Sequence, residues 1–229
     1  MKKVFQKVIS LFKKADPLRK GKARKTWGQS MIEFAIALPI LIMLFSGMIE
    51  FGFMLNAYLS LLDATRSAAR LCSNLNPFKL DTATNTLVDD PTFAPYCAQA
   101  VVDNLAPPSD PNARQIVMDT SRDDVIVSVL GVSVDSTTNK IIMPISRFKN
   151  GSPFYALYGN QLSAYGDLDI ESYMTQNGTL PVQTGMLIVE VYYGYTGILK
   201  LPWVEAFMSA DNPATLYAST IMPLVAAKP

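Results

Sequence analysis

The stretch that decides the fold is FAIALPILIMLFSGMI, residues 34–49, which contains no charged residue. Glu50 follows it, and residues 51–62 are again uncharged. A bilayer core needs about 20 residues of helix at about 1.5 Å rise per residue. Residues 31 to about 54 meet this length if Glu33 and Glu50 lie near the two membrane interfaces, because the two residues are seventeen positions apart, which is about 26 Å along a helix. The sequence therefore predicts a single membrane-spanning helix.

The charges are distributed unevenly on the two sides of this stretch. Residues 1–28 carry ten Lys or Arg and one acid, whereas residues 29–229 carry ten Lys or Arg and eighteen acids. A basic segment before an apolar span is typical of the cytoplasmic side of a membrane protein. We therefore expect a cytoplasmic N-terminus, a helix in the cytoplasmic (inner) membrane and an extracytoplasmic C-terminal part. A cleavable secretory signal is not expected, because the apolar run is too long and no Ala-x-Ala site follows it.

The basic leader has a pattern of its own. Phe5, Val8, Ile9 and Phe12 share one face of a helix that Pro17 would end. This arrangement predicts a short amphipathic helix on anionic lipid, with a disordered basic tail as the open alternative. Binding to nucleic acid is not expected, because the basic segment is short and lacks interleaved aromatic residues.

The composition excludes several kinds of chemistry. The chain has no histidine, which rules out Ser-His-Asp and Cys-His catalysis and zinc sites of the histidine type. Two cysteines cannot form a four-thiolate metal site. Asp119, Asp123 and Asp124 could suggest calcium, but no glycine or glutamate completes a calcium loop, so we interpret them as solvated turns. We expect no metal, no cofactor and no enzymatic activity.

The junction between leader and apolar helix carries a processing motif. It contains Gly28, Gln29 and, five residues after the glycine, Glu33. This junction resembles the processing site of type IV prepilins, in which a membrane-embedded aspartyl peptidase cuts after the glycine. The resemblance implies cleavage between Gly28 and Gln29, so that Glu33 becomes the fifth residue of the mature chain.

The resemblance continues beyond this junction. GQSMIEFAIALPIL at residues 28–41, MIEFG at 48–52 and DATRSAAR at 63–70 resemble the TadE-like family of tight-adherence (Tad) pilus assembly proteins, which are pseudopilins or minor pilins. Phe34 stands where the major pilin of such systems has Tyr, and a mature chain of about 200 residues is long for a major subunit. The resemblance therefore implies a pseudopilin or minor pilin. It also implies four kinds of partner, which are a prepilin peptidase, other pilins and pseudopilins, the inner-membrane pilus assembly platform and membrane lipid.

A carboxylate just inside an apolar helix is costly in lipid and usually has a partner. The resemblance implies that Glu33 neutralises the α-amino group of a neighbouring subunit during assembly. The alternative is that Glu33 extends unpaired to the lipid headgroups. Arg66 and Arg70 share a face of the emerging helix and could contact lipid phosphates or acids of a partner, or could simply be solvated.

The remaining pattern predicts an α+β fold, with a long N-terminal helix followed by a small antiparallel sheet. We expect a leader at residues 1–28, a continuous helix at 29–72 that breaks at 74–77, and an extracytoplasmic domain at 73–229. The elements predicted within that domain are a helix at 96–105, strands at 125–134, 140–148, 185–195 and 215–225, and a connection at 150–181 with a short helix near 160. Pro144 indicates an edge or bulged strand.

Cys72 ends the long helix and Cys97 begins the next one. Both are expected on the outward side of the membrane, where disulfide bonds persist. We therefore predict a Cys72–Cys97 disulfide bond, with two buried free thiols as the alternative. Two other functions remain open, namely an anchored extracytoplasmic binding module and an anchored hydrolase, although no Gly-x-Ser-x-Gly motif supports the latter.

Overall fold

The computed structural model describes residues 27–83, 85–110, 115–135, 137, 141–146, 154–166, 169–170, 172 and 184–227. The amphipathic helix expected at Phe5 to Phe12 lies outside these residues. Contacts divide the chain into two units, Met1–Phe45 and Ser46–Pro229.

The first element is a long helix, α1, at Trp27–Ser73. It confirms the helix predicted at 29–72 and ends where Asn74 to Pro77 break the helical pattern. In the described part of the chain, residues 30–73 of this helix are the one segment long and apolar enough to cross a membrane. Within the first unit, the side chains at residues 30–45 are exposed. An apolar helix with this exposure is expected to be covered by lipid or by protein.

The second unit contains the rest of α1, a short helix and two sheets. A hairpin, β1 (Phe78–Asp81) with β2 (Thr86–Asp89), leads to helix α2 (Phe93–Leu105). The main sheet consists of β3 (Asp124–Val134), β4 (Ile141–Ser146), β5 (Tyr155–Ala156), β6 (Thr184–Tyr195) and β7 (Ala214–Pro223). A one-turn helix, α3 (Pro202–Glu205), lies between β6 and β7.

The main sheet is antiparallel, in the order β4-β3-β6-β7, with β5 also paired to β3. β3 and β6 are central, which agrees with their almost continuous runs of β-branched and aliphatic residues. β4 lies at an edge, and its register with β3 is irregular between Gly131 and Ser133. The edge or bulged strand expected from Pro144 is therefore confirmed, because a proline cannot donate a ladder hydrogen bond.

Both faces of the central strands are covered. On one face, alternate residues of β3 and β6 pack with the buried faces of α1 and α2 in a single core. The α1 residues in this core are mostly small, which lets the helix lie close to its neighbours; they are Ala57, Leu61, Ala64, Ala68, Ala69 and Cys72. On the other face, Leu130, Val132, Met186 and Ile188 form a smaller core with Ile170 and Tyr165. The α+β architecture predicted from the sequence is confirmed.

Several local predictions were wrong or incomplete. The helix expected near residue 160 is absent from the described segment 154–166, where bends replace it. The reason is that this segment donates backbone hydrogen bonds to buried carboxylates and not to its own carbonyls. Helix α2 begins at Phe93 and not at Tyr96. Pro95 is compatible with this earlier start because it lies in the first turn, where the backbone N–H that proline lacks would have no partner within the helix. The β1–β2 hairpin and α3 were not predicted.

Candidate functional site

The predicted processing site lies at the beginning of α1. Gly28 and Gln29 are the second and third residues of the helix, and Gly28 is exposed. A Cβ atom built on Gly28 meets no atom within 4 Å. The described fold therefore does not require glycine at this position, and any such requirement must come from a molecule that acts on the chain.

Glu33 lies about 7.5 Å further along the same helix than Gly28. Its side chain is exposed, between the exposed apolar side chains of Ile32 and Phe34. A carboxylate in such surroundings is costly if the helix is in lipid. This placement is compatible with the assembly role that we expected for Glu33, and that role stays a prediction.

Sequence reasoning missed the role of Glu50, the second acid of the apolar helix. Glu50 is only 3% exposed. Its carboxylate accepts three hydrogen bonds, from the Tyr195 hydroxyl at 2.6 Å and from the backbone N–H groups of Ile198 and Leu199 at 2.7 and 2.9 Å. Glu50 thus connects α1 to the end of β6 and to the loop that follows. The signal for such a role was a carboxylate within an uncharged run, which usually has a partner.

A second contact holds the same loop one helical turn earlier. The indole N–H of Trp203 donates to the hydroxyl of Ser46 at 2.9 Å, and Ser46 is buried. The approach is close, because a Cβ atom built on Gly197 would lie 3.0 Å from Val204 and 3.6 Å from the Glu50 carboxylate. Ser46 and Glu50 therefore fix the loop against one turn of α1.

The acid cluster before β3 is structural in the part of the chain that the structure describes. Asp124 is fully buried and accepts four backbone N–H bonds, two of them from Asn160 and Gln161. Asp123 accepts from the N–H groups of Asp119 and Gly194. Burial raises the pKa of the Asp123 carboxyl, against the effect of these hydrogen bonds. Asp123 and Asp124 therefore organise loops, and the interpretation of these two residues as part of solvated turns was wrong.

Asp119 completes this cluster at its exposed edge. Hydrogen bonds from the hydroxyl and the N–H of Ser121 lower the pKa of Asp119. The Nε atom of Arg122 lies 3.4 Å from Asp119 and 3.6 Å from Asp123. Arg122 therefore balances part of the negative charge that the cluster concentrates.

A third buried carboxylate, Glu190, lies in the middle of β6 on the face away from α1. It accepts hydrogen bonds from the Ser163 hydroxyl, the Ala164 N–H and the Tyr217 hydroxyl. Burial raises the pKa of Tyr217, which keeps its hydroxyl a donor. Glu190 holds the 157–166 segment over the sheet.

The two cysteines are brought together. Cys72, in the last turn of α1, forms a disulfide bond with Cys97 of α2, with a Cα–Cα distance of 6.0 Å. Both are fully buried. The predicted disulfide bond is present, and the alternative of two free thiols was wrong.

Arg66 and Arg70 are both exposed near the end of α1, where they line a shallow groove with Asp63 and Asn74. The exposure of both side chains is compatible with either expectation, solvation or contact with a partner.

Comparison with known proteins identifies one family. The model of the TadE-like protein family matches residues 28–70, about a fifth of the chain. The match confirms the resemblance that runs from Gly28 to Arg70, and over these residues the chain is similar to proteins related to Tad pili. No curated protein and no solved structure matches the chain significantly.

Proposed function

We propose that the chain is a pseudopilin or minor pilin of a Tad-type pilus biogenesis system. A prepilin peptidase removes the leader at residues 1–28 by cutting between Gly28 and Gln29. The helix at 29–72 then anchors the chain in the inner membrane, with the leader side cytoplasmic and the domain at 73–229 extracytoplasmic. The protein acts in pilus assembly through other pilins, pseudopilins and the assembly platform, and it is not an enzyme.

The observation that carries this proposal is the family match from residue 28 to residue 70. It begins at the glycine of the expected processing site and covers nearly the whole of α1. The open surroundings of Gly28 support the proposal, because they leave recognition by a peptidase as a reason for a glycine there. The buried carboxylates support a structural role, since each is occupied by hydrogen bonds that hold a loop.

N-terminal sequencing of the membrane fraction tests the processing step, with Gln29 expected as the first residue. The Gly28→Val variant should accumulate only as the full-length chain, because a side chain at the scissile position blocks a narrow active site. Gly52→Val is the matched control, since Gly52 is also in α1 and also meets no atom within 4 Å. It should be processed normally.

Deletion of the gene should abolish or reduce surface pili in electron micrographs, and the wild-type gene should restore them. Equal processing of Gly28→Val and Gly52→Val would reject the peptidase assignment. Normal pili in the deletion strain would reject the role in assembly and favour an anchored binding module.

A further inference from the structure

The loop at residues 198–208, between β6 and β7, is apolar and partly exposed. Lys200 and Glu205 are the only charged residues in its sequence, ILKLPWVEAFM. Phe207 is 75% exposed and Ile198 is 48% exposed, whereas Leu199, Leu201 and Trp203 are half-buried. A cluster of exposed apolar side chains of this kind marks a surface that is covered in the working protein.

The loop is attached to a single turn of α1. Glu50 accepts hydrogen bonds from Ile198 and Leu199, and Ser46 accepts one from the Trp203 indole. Ser46 and Glu50 are four residues apart, so the loop is attached over about 6 Å of helix. The attachment residues Ile198, Leu199 and Trp203 therefore lie beside that single turn of α1.

The same turn of α1 belongs to the uncharged part of the chain. On the sides of the helix that the loop does not cover, Met48, Ile49 and Phe51 are exposed. The proposed membrane anchor requires these residues to face lipid. The loop attached beside them then lies at the same depth in the bilayer as this turn of α1. Glu50 is seventeen positions after Glu33, about 26 Å of helix, so this depth is close to the second interface and not the bilayer centre.

The composition of the loop suits that depth. Tryptophan is enriched at membrane interfaces, where its ring is in an apolar region and its N–H finds a hydrogen-bond partner. Lys200 is exposed and can extend its ammonium group to lipid phosphates, while Glu205 is also exposed and can remain in water. A loop inserted more deeply would bury both charges without partners.

We propose that the 198–208 loop is a second membrane contact, which lies in the extracytoplasmic interface of the bilayer with Phe207 and Ile198 among the lipid chains. This inference rests on the proposed membrane anchor. The domain is then held to the membrane surface at two places, the helix and the loop, and its orientation relative to the bilayer is restricted.

Depth-dependent fluorescence quenching of the full chain tests the inference. The native cysteines are joined in the disulfide bond, so a single introduced cysteine is the only free thiol. The variants Phe207→Cys, Met48→Cys and Leu80→Cys each carry a nitrobenzoxadiazole probe. The protein is reconstituted in vesicles of phosphatidylethanolamine and phosphatidylglycerol. A parallel sample also contains a lipid that carries a nitroxide near the top of its acyl chain.

We expect nitroxide quenching at residue 207 within about twofold of that at residue 48, because both probes are in the interface. Quenching at residue 80 should be weak. Leu80 is the matched control, since it is also an exposed apolar residue but lies in β1, beyond the end of α1, and that end is about 34 Å of helix from Glu50.

Strong quenching at 48 with weak quenching at 207 would overturn the loop inference and leave the anchor intact. Weak quenching at both would overturn the anchor as well. A probe at 207 that is protected from aqueous iodide but not quenched by the nitroxide lipid would show a protein contact in place of lipid, and would also overturn the inference. In the Trp27→Phe variant, quenching of the emission of Trp203 by brominated lipid provides an independent readout with no change to the loop.

Discussion

The carboxylate of Glu50 accepts a hydrogen bond of 2.6 Å from the hydroxyl of Tyr195, although 145 positions separate the two residues in the chain. With the backbone bonds from Ile198 and Leu199, this contact joins α1 to the end of β6. Asp124 and Glu190 likewise accept hydrogen bonds from the 157–166 segment, and these bonds hold the segment against the sheet. Three buried carboxylates, each of which accepts at least three hydrogen bonds, therefore position the loops of the domain.

Glu50→Ala should destabilise the second unit by about 2–4 kcal/mol, because it leaves the buried Tyr195 hydroxyl and two partly buried backbone N–H groups without an acceptor. Glu50→Gln should cost less, since the amide keeps one acceptor oxygen. Urea or thermal unfolding in detergent, followed by circular dichroism, measures the difference. Asp63→Ala is the matched control, as Asp63 is an exposed acid of the same helix. A loss no larger than that of Asp63→Ala would contradict the structural role of Glu50.

Asp124→Asn should destabilise the protein by roughly 3 kcal/mol, because an amide group would place its own donors against two of the four backbone N–H groups that Asp124 binds. Hydrogen exchange should accelerate first at Tyr158, Asn160 and Gln161. The exposed Asp211 provides the control, and Asp211→Asn should change neither quantity measurably. Unchanged protection at these three amides would contradict the assignment.

The disulfide bond should contribute strongly to stability. Replacing Cys72 and Cys97 with serine together should cost roughly 3–4 kcal/mol, because the bond closes a loop of 24 intervening residues in the unfolded chain. Mass spectrometry without reductant should show the joined peptides two hydrogens lighter than the sum of the free ones. Quantitative alkylation of both thiols in the native, unreduced protein would contradict the bond.

The acid cluster predicts an order of titration. Burial raises the pKa of Asp123 above its ordinary value of 3.8, whereas hydrogen bonds from Ser121 lower the pKa of Asp119 below 3.8. As the pH falls, Asp123 should therefore be protonated before Asp119. The stabilising contribution of ionised Asp119 is complete above pH 3.8 and is lost as the pH falls through its lowered pKa, while ionisation of Asp123 opposes folding as the pH rises through its raised pKa.

Carboxyl carbon NMR with selective labelling measures both titrations. Arg122→Gln should raise both pKa values, because the guanidinium group lowers each of them by its charge. Arg66→Gln, which changes an exposed arginine of α1, should leave both unchanged. The opposite order of titration would show that burial is not the dominant effect on the pKa of Asp123.

The main elements could be predicted because their signals are local. An uncharged run followed by an alanine-rich exit indicates one long helix, and continuous β-branched runs indicate the central strands β3 and β6. Cys72 and Cys97 could be paired because they were the only two thiols. None of these inferences needed a contact between distant parts of the sheet.

The site features that were missed depend on distant contacts. No periodicity relates Glu50 to Tyr195, or Asp124 to the 157–161 segment, since the partners are mainly backbone N–H groups that every residue type supplies. The β1–β2 hairpin was too short for a strand pattern. Its one local signal was Asn85, which adopts a φ of 51° in the turn, a conformation that asparagine tolerates better than most residues.

Glu33→Ala should leave membrane insertion and processing intact but abolish pilus formation. Insertion should be unaffected or slightly easier, because a carboxylate near the bilayer edge costs at most a few kcal/mol. Processing should depend mainly on Gly28, five residues earlier. What the variant removes is the attraction between Glu33 and the α-amino group of a neighbouring chain, which is strong at low dielectric constant.

Three measurements on the Glu33→Ala strain separate the possible roles of this residue: the amount in the membrane fraction, the processed size and the number of surface pili. Ile32→Ala is the matched control, because it truncates an exposed neighbour on the same helix without removing a charge. Normal pili in Glu33→Ala would contradict the pairing and leave Glu33 as a residue that extends to the headgroups. Loss of processing would instead assign Glu33 to recognition by the peptidase.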